Sequence, residues 1–257
     1  MVNILLSGAL GRMGCAVTSS CVASGSCRII AGIDINAAAG ALGCTYPVYE
    51  KLSDFTGKAD VIVDFSNHTA ISSLLEYAVK ERTPVVAATT GYTADELEVI
   101  SKASKSIPVF RSGNMSLGIN LLIELAKKAS AVLGTAFDVE IVETHHRNKL
   151  DAPSGTALMI ADALSETLGS EADYVFDRST ERRERRSGEI GIHSVRGGSV
   201  VGDHQVMFLG DTETITLSHS ASSRSVFADG ALKAAEFICG KPAGLYDMSD
   251  LINSASR

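Results

Sequence analysis

Short apolar runs alternate with amphipathic segments along the first 115 residues of the chain. The apolar runs predict buried strands over residues 2–7, 28–33, 59–65, 84–89 and 108–111. The amphipathic segments predict helices from after Gly14 to about Ala23, and over 69–80 and 94–105. Strands that alternate with helices over short links form a parallel sheet with helices on both faces. This part of the chain is therefore predicted to be an α/β domain.

The hydrophobic pattern changes after Asn114. The elements predicted there are helices over 117–133, 156–168 and 226–238, and strands over 139–143, 189–195, 200–208 and 213–218. The glycine-containing pairs Gly197-Gly198 and Gly210-Asp211 mark turns between the last three strands, so these strands are predicted to form a mixed or antiparallel sheet. We interpret this region as a second domain of the α+β class.

A glycine-rich turn follows the first predicted strand. It consists of Gly8, Ala9, Leu10, Gly11, Arg12, Met13 and Gly14, and the second strand ends at Asp34. In a Rossmann-type βαβ unit, such a turn brings the backbone close to a pyrophosphate at a helix N-terminus, and the acid accepts hydrogen bonds from a ribose. The spacing G-x-x-G-x-x-G departs from the usual G-x-G-x-x-G. The glycines alone also fit a tight turn without a ligand, but the strand, the helix and Asp34 in register favour a dinucleotide site.

A dense polar loop, E-T-H-H-R-N-K-L-D-A-P-S-G-T-A, runs from Glu143 to Ala157 between a predicted strand and a predicted helix. A helix N-terminus with nearby cations binds anions, because backbone N–H groups and the helix dipole point at the ligand. An ordinary solvated loop is the alternative interpretation. No metal site is predicted, because adjacent histidines point apart and acid partners at ligand spacing are lacking.

The composition restricts the possible functions. The chain has 257 residues, of which 45% are hydrophobic and 21% charged, and its net charge of −7 does not favour nucleic acid as a partner. The five cysteines form no C-x-x-C pair, and no apolar run is long enough for a signal peptide or a membrane span. We expect a cytoplasmic protein. The arginine-rich run 182–186 is predicted to be a solvated loop, with a phosphate or carboxylate contact as the alternative.

The polar loop resembles the signature of the dihydrodipicolinate (4-hydroxy-tetrahydrodipicolinate) reductase family, E-x-H-H-x-x-K-x-D-A-P-S-G-T-A. Further motifs carry the resemblance along nearly the whole chain: the Arg12-Met13-Gly14 turn, Thr89-Thr90-Gly91, V-R-G-G-x-x-V-G-x-H over 195–204, A-S-S-R over 221–224 and G-L-x-D-M over 244–248. By resemblance, the helix over 226–238 packs on the nucleotide domain. The domains are then 1–115 with 224–257 for the dinucleotide, and 116–223 for substrate binding and oligomerisation.

The resemblance implies the reduction of a cyclic imine-type dicarboxylate on the lysine and diaminopimelate route. It implies that His145 is the general acid and that Lys149 is a proton donor or carboxylate anchor. It also implies that His146, Gly155 and Thr156 hold the substrate. The loops on the nicotinamide side are then Ala88, Thr89 and Thr90, and Ser112, Gly113, Asn114 and Met115. Ala88 stands where the family has glycine, and Ser112-Gly113 and Met115 stand where Ala-Ala and Phe are common.

Asp34 is followed by Ile35 and Asn36, and no adjacent arginine offsets its repulsion of a 2′-phosphate. We therefore predict that NADH is preferred and that NADPH, which Arg12 could contact, is used to some extent. The family is typically tetrameric, which implies a homotetramer. Arg224 is a candidate for a substrate carboxylate or for a domain seam. Two alternatives stay open: another nicotinamide-dependent dehydrogenase of this architecture, and a non-catalytic NADH sensor.

Overall fold

A computed structural model describes residues 1–40, 44–169 and 172–255 of the chain. The chain divides into two compact units, one formed by Met1–Leu117 with Arg224–Arg257 and the other by Gly118–Ser223. The strands are β1 (Val2–Ser7), β2 (Cys27–Ile33), β3 (Val48–Tyr49), β4 (Val61–Asp64), β5 (Val85–Ala87), β6 (Pro108–Arg111), β7 (Asp138–His145), β8 (Asp173–Val175), β9 (Glu189–Arg196), β10 (Gly202–Leu209), β11 (Thr214–Ala221) and β12 (Gly244–Tyr246). The helices are α1 (Arg12–Ser24), α2 (Ala37–Gly40), α3 (Ile71–Glu81), α4 (Ala94–Ala103), α5 (Leu117–Leu133), α6 (Gly155–Leu168), α7 (Ser225–Ile238) and α8 (Met248–Ala255).

The first unit is built on a seven-stranded sheet in the order β12-β6-β5-β4-β1-β2-β3, in which every pair is parallel. Consecutive side chains of β1 face opposite sides of the sheet: Ile4 and Leu6 belong to one apolar cluster and Leu5 to the other. All three are fully buried, and each contributes roughly 1.5–3 kcal/mol of hydrophobic free energy. The prediction of a parallel α/β sheet is confirmed.

The helices of the first unit form layers on both faces of this sheet. Helices α1 and α7 pack against each other on one face, and α7 also contacts β4, β5 and β6. Helices α3 and α4 pack together, and their buried residues belong to the cluster on the other face. Residues 226–238 therefore lie on the nucleotide-type sheet, as the resemblance implied.

The second unit has a five-stranded mixed sheet in the order β11-β10-β7-β9-β8. Its central strand β7 pairs antiparallel with β10 and parallel with β9. Buried residues of α5 and α6 share one apolar cluster with the sheet, including Ile141, Ile192 and Phe208. The prediction of a mixed sheet is confirmed. No helix in the described part of the chain has the length and apolarity needed to cross a bilayer.

Candidate active site

The turn between β1 and α1 requires glycine at two positions. Gly8 has a φ of 77°, and a Cβ at this position would lie 2.6 Å from the carbonyl oxygen of Phe65. A Cβ at Gly14, in the first turn of α1, would lie 2.3 Å from the oxygen of Gly8. The helix therefore starts against the backbone of the turn, with Gly11 at its N-cap and no side chain capping it. This geometry suits a phosphate at the helix N-terminus.

Asp34 lies directly after β2 and faces this turn. Its Oδ2 accepts a hydrogen bond from the N–H of Leu10 at 2.9 Å, and its Oδ1 accepts one from the N–H of Asn36 at 2.9 Å. Asp34, Gly8 and Gly11 line one wide cleft with Asn36. The predicted ribose acceptor therefore stands beside the predicted pyrophosphate turn. Of the other turn residues, Ala9 is buried, Leu10 and Met13 are half-buried, and Arg12 is exposed.

The loops that follow β4, β5 and β6 open at one edge of the sheet, because their strand ends are in register. Asp64 is 0% exposed and holds the loops after β4 and β5 through its carboxylate. The hydroxyls of Ser66 and Thr89 donate to it at 2.6 and 2.9 Å. Ala88 donates its N–H to the Asp64 carbonyl oxygen at 3.0 Å, which places the predicted T-T-G loop at this edge.

The other predicted nicotinamide-side loop follows β6. The Ser112 hydroxyl donates to the carbonyl oxygen of Asn114 at 2.7 Å and closes a tight turn. Asn114 Oδ1 accepts a hydrogen bond from the N–H of Ser116 at 2.8 Å. Met115 is 3% exposed and packs in the apolar core of the first unit. The side chain of Met115 is therefore part of the core, and its backbone forms part of the loop after β6.

In the second unit, β7 carries the acid and the histidine that begin the polar loop. Glu143 is 0% exposed, and its Oε2 lies 2.6 Å from Nδ1 of His145. Arg196 from β9 donates through its two terminal nitrogens to both Glu143 oxygens, at 2.8 and 2.7 Å. Burial acts to raise the pKa of Glu143, but the hydrogen bonds from Arg196 and His145 outweigh it and hold the pKa at about 2. Glu143 is therefore a carboxylate at neutral pH.

The loop after β7 leads to the N-terminus of α6. Ser154 is the N-cap, and its hydroxyl accepts a hydrogen bond from the N–H of Ala157 at 3.1 Å. Gly155 and Thr156 are the first residues of the helix, and a Cβ at Gly155 would have no protein atom within 4 Å. The predicted substrate residues thus stand at a helix N-terminus with open space beside Gly155, which suits a carboxylate.

Two charged side chains of this loop form an ion pair. Lys149 Nζ lies 2.8 Å from Asp151 Oδ2, and the hydrogen bond from Lys149 lowers the pKa of Asp151. His146 is followed by a turn in which its carbonyl oxygen accepts a hydrogen bond from the N–H of Lys149 at 3.1 Å. The Nδ1 atom of His146 is buried and has no hydrogen-bond partner among the described residues. Its ring therefore retains hydrogen-bonding capacity for a ligand.

Two residues near His145 were not predicted from the sequence. Arg196 binds Glu143, and His204 on β10 lies edge-on to the His145 ring with 5.2 Å between ring centroids. His204 is 4% exposed, and its Nε2 lies 3.1 Å from Ser154 Oγ. Burial, followed by the proximity of His145, lowers the pKa of His204 to about 4. His204 lies on the buried side of β10 with Val206 and Phe208, but the apolar Met207 and Leu209 at half-buried positions obscure this alternation in the sequence.

The arginine-rich run is an exposed loop over most of its length, as predicted, and two of its arginines also make the carboxylate contact given as the alternative. Arg183 and Arg185 both form ion pairs with Glu189, whose side chain is 0% exposed, and Arg185 also lies 2.9 Å from Asp138. These arginines are held because a buried carboxylate needs charged partners. Arg224 is exposed and precedes α7, and its carbonyl oxygen accepts a hydrogen bond from the N–H of Phe227.

Comparison with known proteins agrees with this architecture. The family models for the N-terminus and the C-terminus of dihydrodipicolinate reductase match residues 2–115 and 118–252. The 4-hydroxy-tetrahydrodipicolinate reductase of Caldanaerobacter subterraneus subsp. tengcongensis is 50% identical over 252 residues, covering 98% of this chain and 98% of that protein. The same reductase of Clostridium tetani is 43% identical over 254 residues, covering 99% and 98%. A dipicolinate-bound dihydrodipicolinate reductase from Paenisporosarcina sp. TG-14 superposes with a TM-score of 0.81 at 24% identity, covering 96% and 97%.

The first unit is of the Rossmann type and has a glycine turn. The second unit has the N-terminus of α6, with Lys149 in the loop before it. Together these features define an oxidoreductase that binds a pyridine nucleotide. The matched regions together span nearly the whole sequence. The chain belongs to the dihydrodipicolinate reductase family. As a member, it is an NAD(P)H-dependent oxidoreductase of lysine and diaminopimelate biosynthesis, and the resemblance inferred from the motifs is confirmed.

Proposed function

We propose that the second unit binds 4-hydroxy-tetrahydrodipicolinate through Lys149 and the N-terminus of α6, and that His145 is the general acid in its reduction to tetrahydrodipicolinate. The observation that carries this proposal is the arrangement of His145 on ionised Glu143, within a loop that continues to Lys149 and the α6 N-terminus. A dicarboxylate needs cations and backbone donors, and this loop supplies both. The dipicolinate bound by the Paenisporosarcina protein is a ligand of the same chemical class.

The roles of the individual residues follow from their chemistry. Lys149 offers an ammonium group to one carboxylate, and Gly155 and Thr156 offer the N-terminal backbone of α6. His146 is a further donor to a carboxylate, since its Nδ1 has no partner within the described protein. The substrate must lose its 4-hydroxyl group and a proton from a neighbouring ring carbon as water. The bound nicotinamide would then supply a hydride to C4, and the neighbouring carbon would take a proton. His145 is suited to donate this proton, because its Nδ1 is bound to Glu143 and its Nε2 can carry the proton that is transferred.

The nucleotide is proposed to bind the first unit through its glycine turn, Asp34 and the loops after β5 and β6. The close approaches at Gly8 and Gly14 support this, because a larger side chain at either position would clash with neighbouring backbone and displace the turn from the start of α1. Asp34 at the cleft favours a ribose hydroxyl over a 2′-phosphate, so NADH is the proposed preferred reductant and NADPH a weaker one. We further propose that the protein is cytoplasmic. We also propose that it is a homotetramer, which light scattering of the purified protein tests directly.

The reaction is tested by following NADH absorbance with the freshly formed product of the preceding synthase as substrate. The parent protein is expected to consume NADH only when this substrate is present. His145→Ala and Lys149→Ala are each expected to lower kcat by about 10²–10⁴-fold, the range that a positioned acid or charge contributes. NADH affinity, measured by fluorescence titration, is expected to stay within about twofold, since neither residue belongs to the nucleotide-type unit.

His193→Ala is the matched control for these variants. His193 lies on β9 in the same unit, but its ring is 41% exposed and pairs with Glu140. This variant is expected to turn over like the parent. A protein that binds NADH but consumes none with this substrate would be a sensor, and parent-like turnover in His145→Ala or Lys149→Ala would remove the assigned roles.

A further inference from the structure

The Glu143 carboxylate is saturated with donors. Its Oε2 accepts from His145 Nδ1 and Arg196 Nη1, and its Oε1 accepts from Arg196 Nη2 and the N–H of Ser154 at 3.1 Å. A fully buried carboxylate with four donors is fixed in both position and charge. It has no capacity left to contact a ligand, so its effect on the reaction passes through the groups it holds.

Arg196 supplies two of these four donors and carries a permanent positive charge. Its guanidinium grips Glu143 in the two-pronged geometry that gives arginine–carboxylate pairs their orientation. The same group donates to the carbonyl oxygen of Asp151 at 2.6 Å and to that of Val195 at 2.8 Å. Arg196 therefore connects the strand that carries His145, the loop that carries Lys149 and, through Glu143, the N-cap of α6.

The His145 ring is held from several sides. Its Nδ1 is bound to Glu143, the edge of its ring system meets His204 on β10, and a Cβ at Gly202 would lie 3.0 Å from its Nε2. The charged or titratable groups facing it are thus Glu143 from β7, Arg196 from β9 through Glu143, and His204 from β10, which is next to Asp203 and His219. Fixing the proton on Nδ1 leaves Nε2 as the atom that exchanges a proton with a ligand.

We infer that Arg196 is a positioning residue for the reaction: it holds Glu143 in place, and Glu143 orients His145 and stabilises its protonated ring. This inference rests on the proposed function of His145. Arg196 and His145 share the charge of one carboxylate, so the two partners have opposite effects on the proton. Removing the carboxylate destabilises the protonated form of the His145 ring. Removing Arg196 stabilises that form, because the negative charge of Glu143 is then no longer shared with the guanidinium.

The test compares Glu143→Gln, Arg196→Met and Arg196→Lys with the parent, using kcat, KM and the pH profile of kcat/KM. We expect kcat to fall about 10- to 100-fold in Glu143→Gln and Arg196→Met, which is part of what a positioned acid contributes. The alkaline limb of the profile is expected to move to lower pH in Glu143→Gln and to higher pH in Arg196→Met. Arg196→Lys keeps the positive charge but loses the two-pronged guanidinium. It should therefore lower kcat and leave the alkaline limb of the profile near that of the parent.

A second measurement guards against loss of folding. Long-range ¹H–¹⁵N spectra of histidine-labelled protein report which ring nitrogen of His145 carries the proton. The parent and Arg196→Lys are expected to show the Nδ1–H form above the alkaline limb, and Glu143→Gln to lose this preference. Parent-like kcat in the Arg196 variants would overturn the inference. So would alkaline limbs in Glu143→Gln and Arg196→Met that stay at the parent position or move in the same direction. A parent enzyme without turnover would instead refute the proposed function.

Discussion

The side chain of Asp34 accepts a hydrogen bond from the backbone N–H of Leu10 at 2.9 Å. This bond ties the end of β2 to the turn between β1 and α1. A second bond, from the N–H of Asn36 to Oδ1, fixes the other carboxylate oxygen at 2.9 Å. The negative charge is therefore held at the cleft beside the glycine turn, which is the proposed nucleotide site.

Replacing Asp34 is expected to change the choice of nucleotide. In Asp34→Ser, the charge that favours a ribose hydroxyl and repels a 2′-phosphate is gone. We expect the ratio of kcat/KM for NADH to that for NADPH to fall about tenfold or more, since hydrogen bonds to charged groups contribute about 1.5–3 kcal/mol. Steady-state assays with both nucleotides measure this ratio. Asp95→Asn, an exposed change in the first turn of α4, should leave the ratio unaltered, and an unaltered ratio in Asp34→Ser would disprove the assignment.

The close packing of the turn makes a small substitution costly. In Gly14→Ala, the new methyl would have to lie 2.3 Å from the Gly8 oxygen, so the turn or α1 must shift. We expect NADH affinity to fall about tenfold or more and the melting temperature to fall with it, since overpacking costs about 1–3 kcal/mol. Gly197→Ala is the control, because a Cβ there meets open space in the other unit. Tight NADH binding by Gly14→Ala would show that the turn does not shape the site.

Most long elements could be predicted from the sequence, because their hydrophobic pattern and their ends agree. The strand over 108–111 and the helix over 117–133 have the predicted bounds in the structure. The strands β3, β8 and β12 were missed. Each has two or three residues, too few for any period, and each is formed by pairing with a neighbour that lies elsewhere in the sequence.

The candidate site also contains residues that are brought together from distant parts of the sequence. His145 and Lys149 lie in one contiguous loop, so a local motif identified them. Arg196 is 53 residues from its partner Glu143, and His204 is 50 residues from Ser154, so no local pattern joins them. Their contribution depends on the order of β9, β7 and β10 in the sheet, which follows from tertiary pairing. A search by motif therefore finds the proposed catalytic and substrate-binding residues before the residues that hold them in place.

The ion pair between Lys149 and Asp151 is expected to contribute little to substrate binding. Asp151 is 61% exposed, and exposed pairs contribute about 0–1 kcal/mol. Asp151→Asn should therefore change the substrate KM less than about threefold, whereas Lys149→Met should raise it about tenfold or more, because it removes a charged partner of the carboxylate. Lys128→Met, at an exposed position on α5, is the control. An equal rise in KM for both variants would mean that Asp151 is needed to position the lysine.

The buried ring of His204 is expected to make the protein sensitive to mild acid. Its pKa is lowered to about 4 in the folded state, by burial first and then by His145, whereas an unfolded histidine titrates near 6.5. Below about pH 6.5, the unfolded chain therefore binds a proton that the folded protein refuses, and stability is lost progressively until about pH 4. Between pH 7 and pH 5, this amounts to about 2 kcal/mol.

His204→Gln removes this titration and retains a group that can hydrogen-bond to Ser154 Oγ. The variant should be less stable than the parent at pH 7, because it loses the packing of the ring against His145. Its free energy of unfolding should nevertheless fall less between pH 7 and pH 5, as measured by urea denaturation at both pH values. His193→Gln makes the same exchange at a half-buried position on the same sheet and is the control. If His204→Gln lost as much stability over this interval as the parent, the acid sensitivity would have to come from other groups.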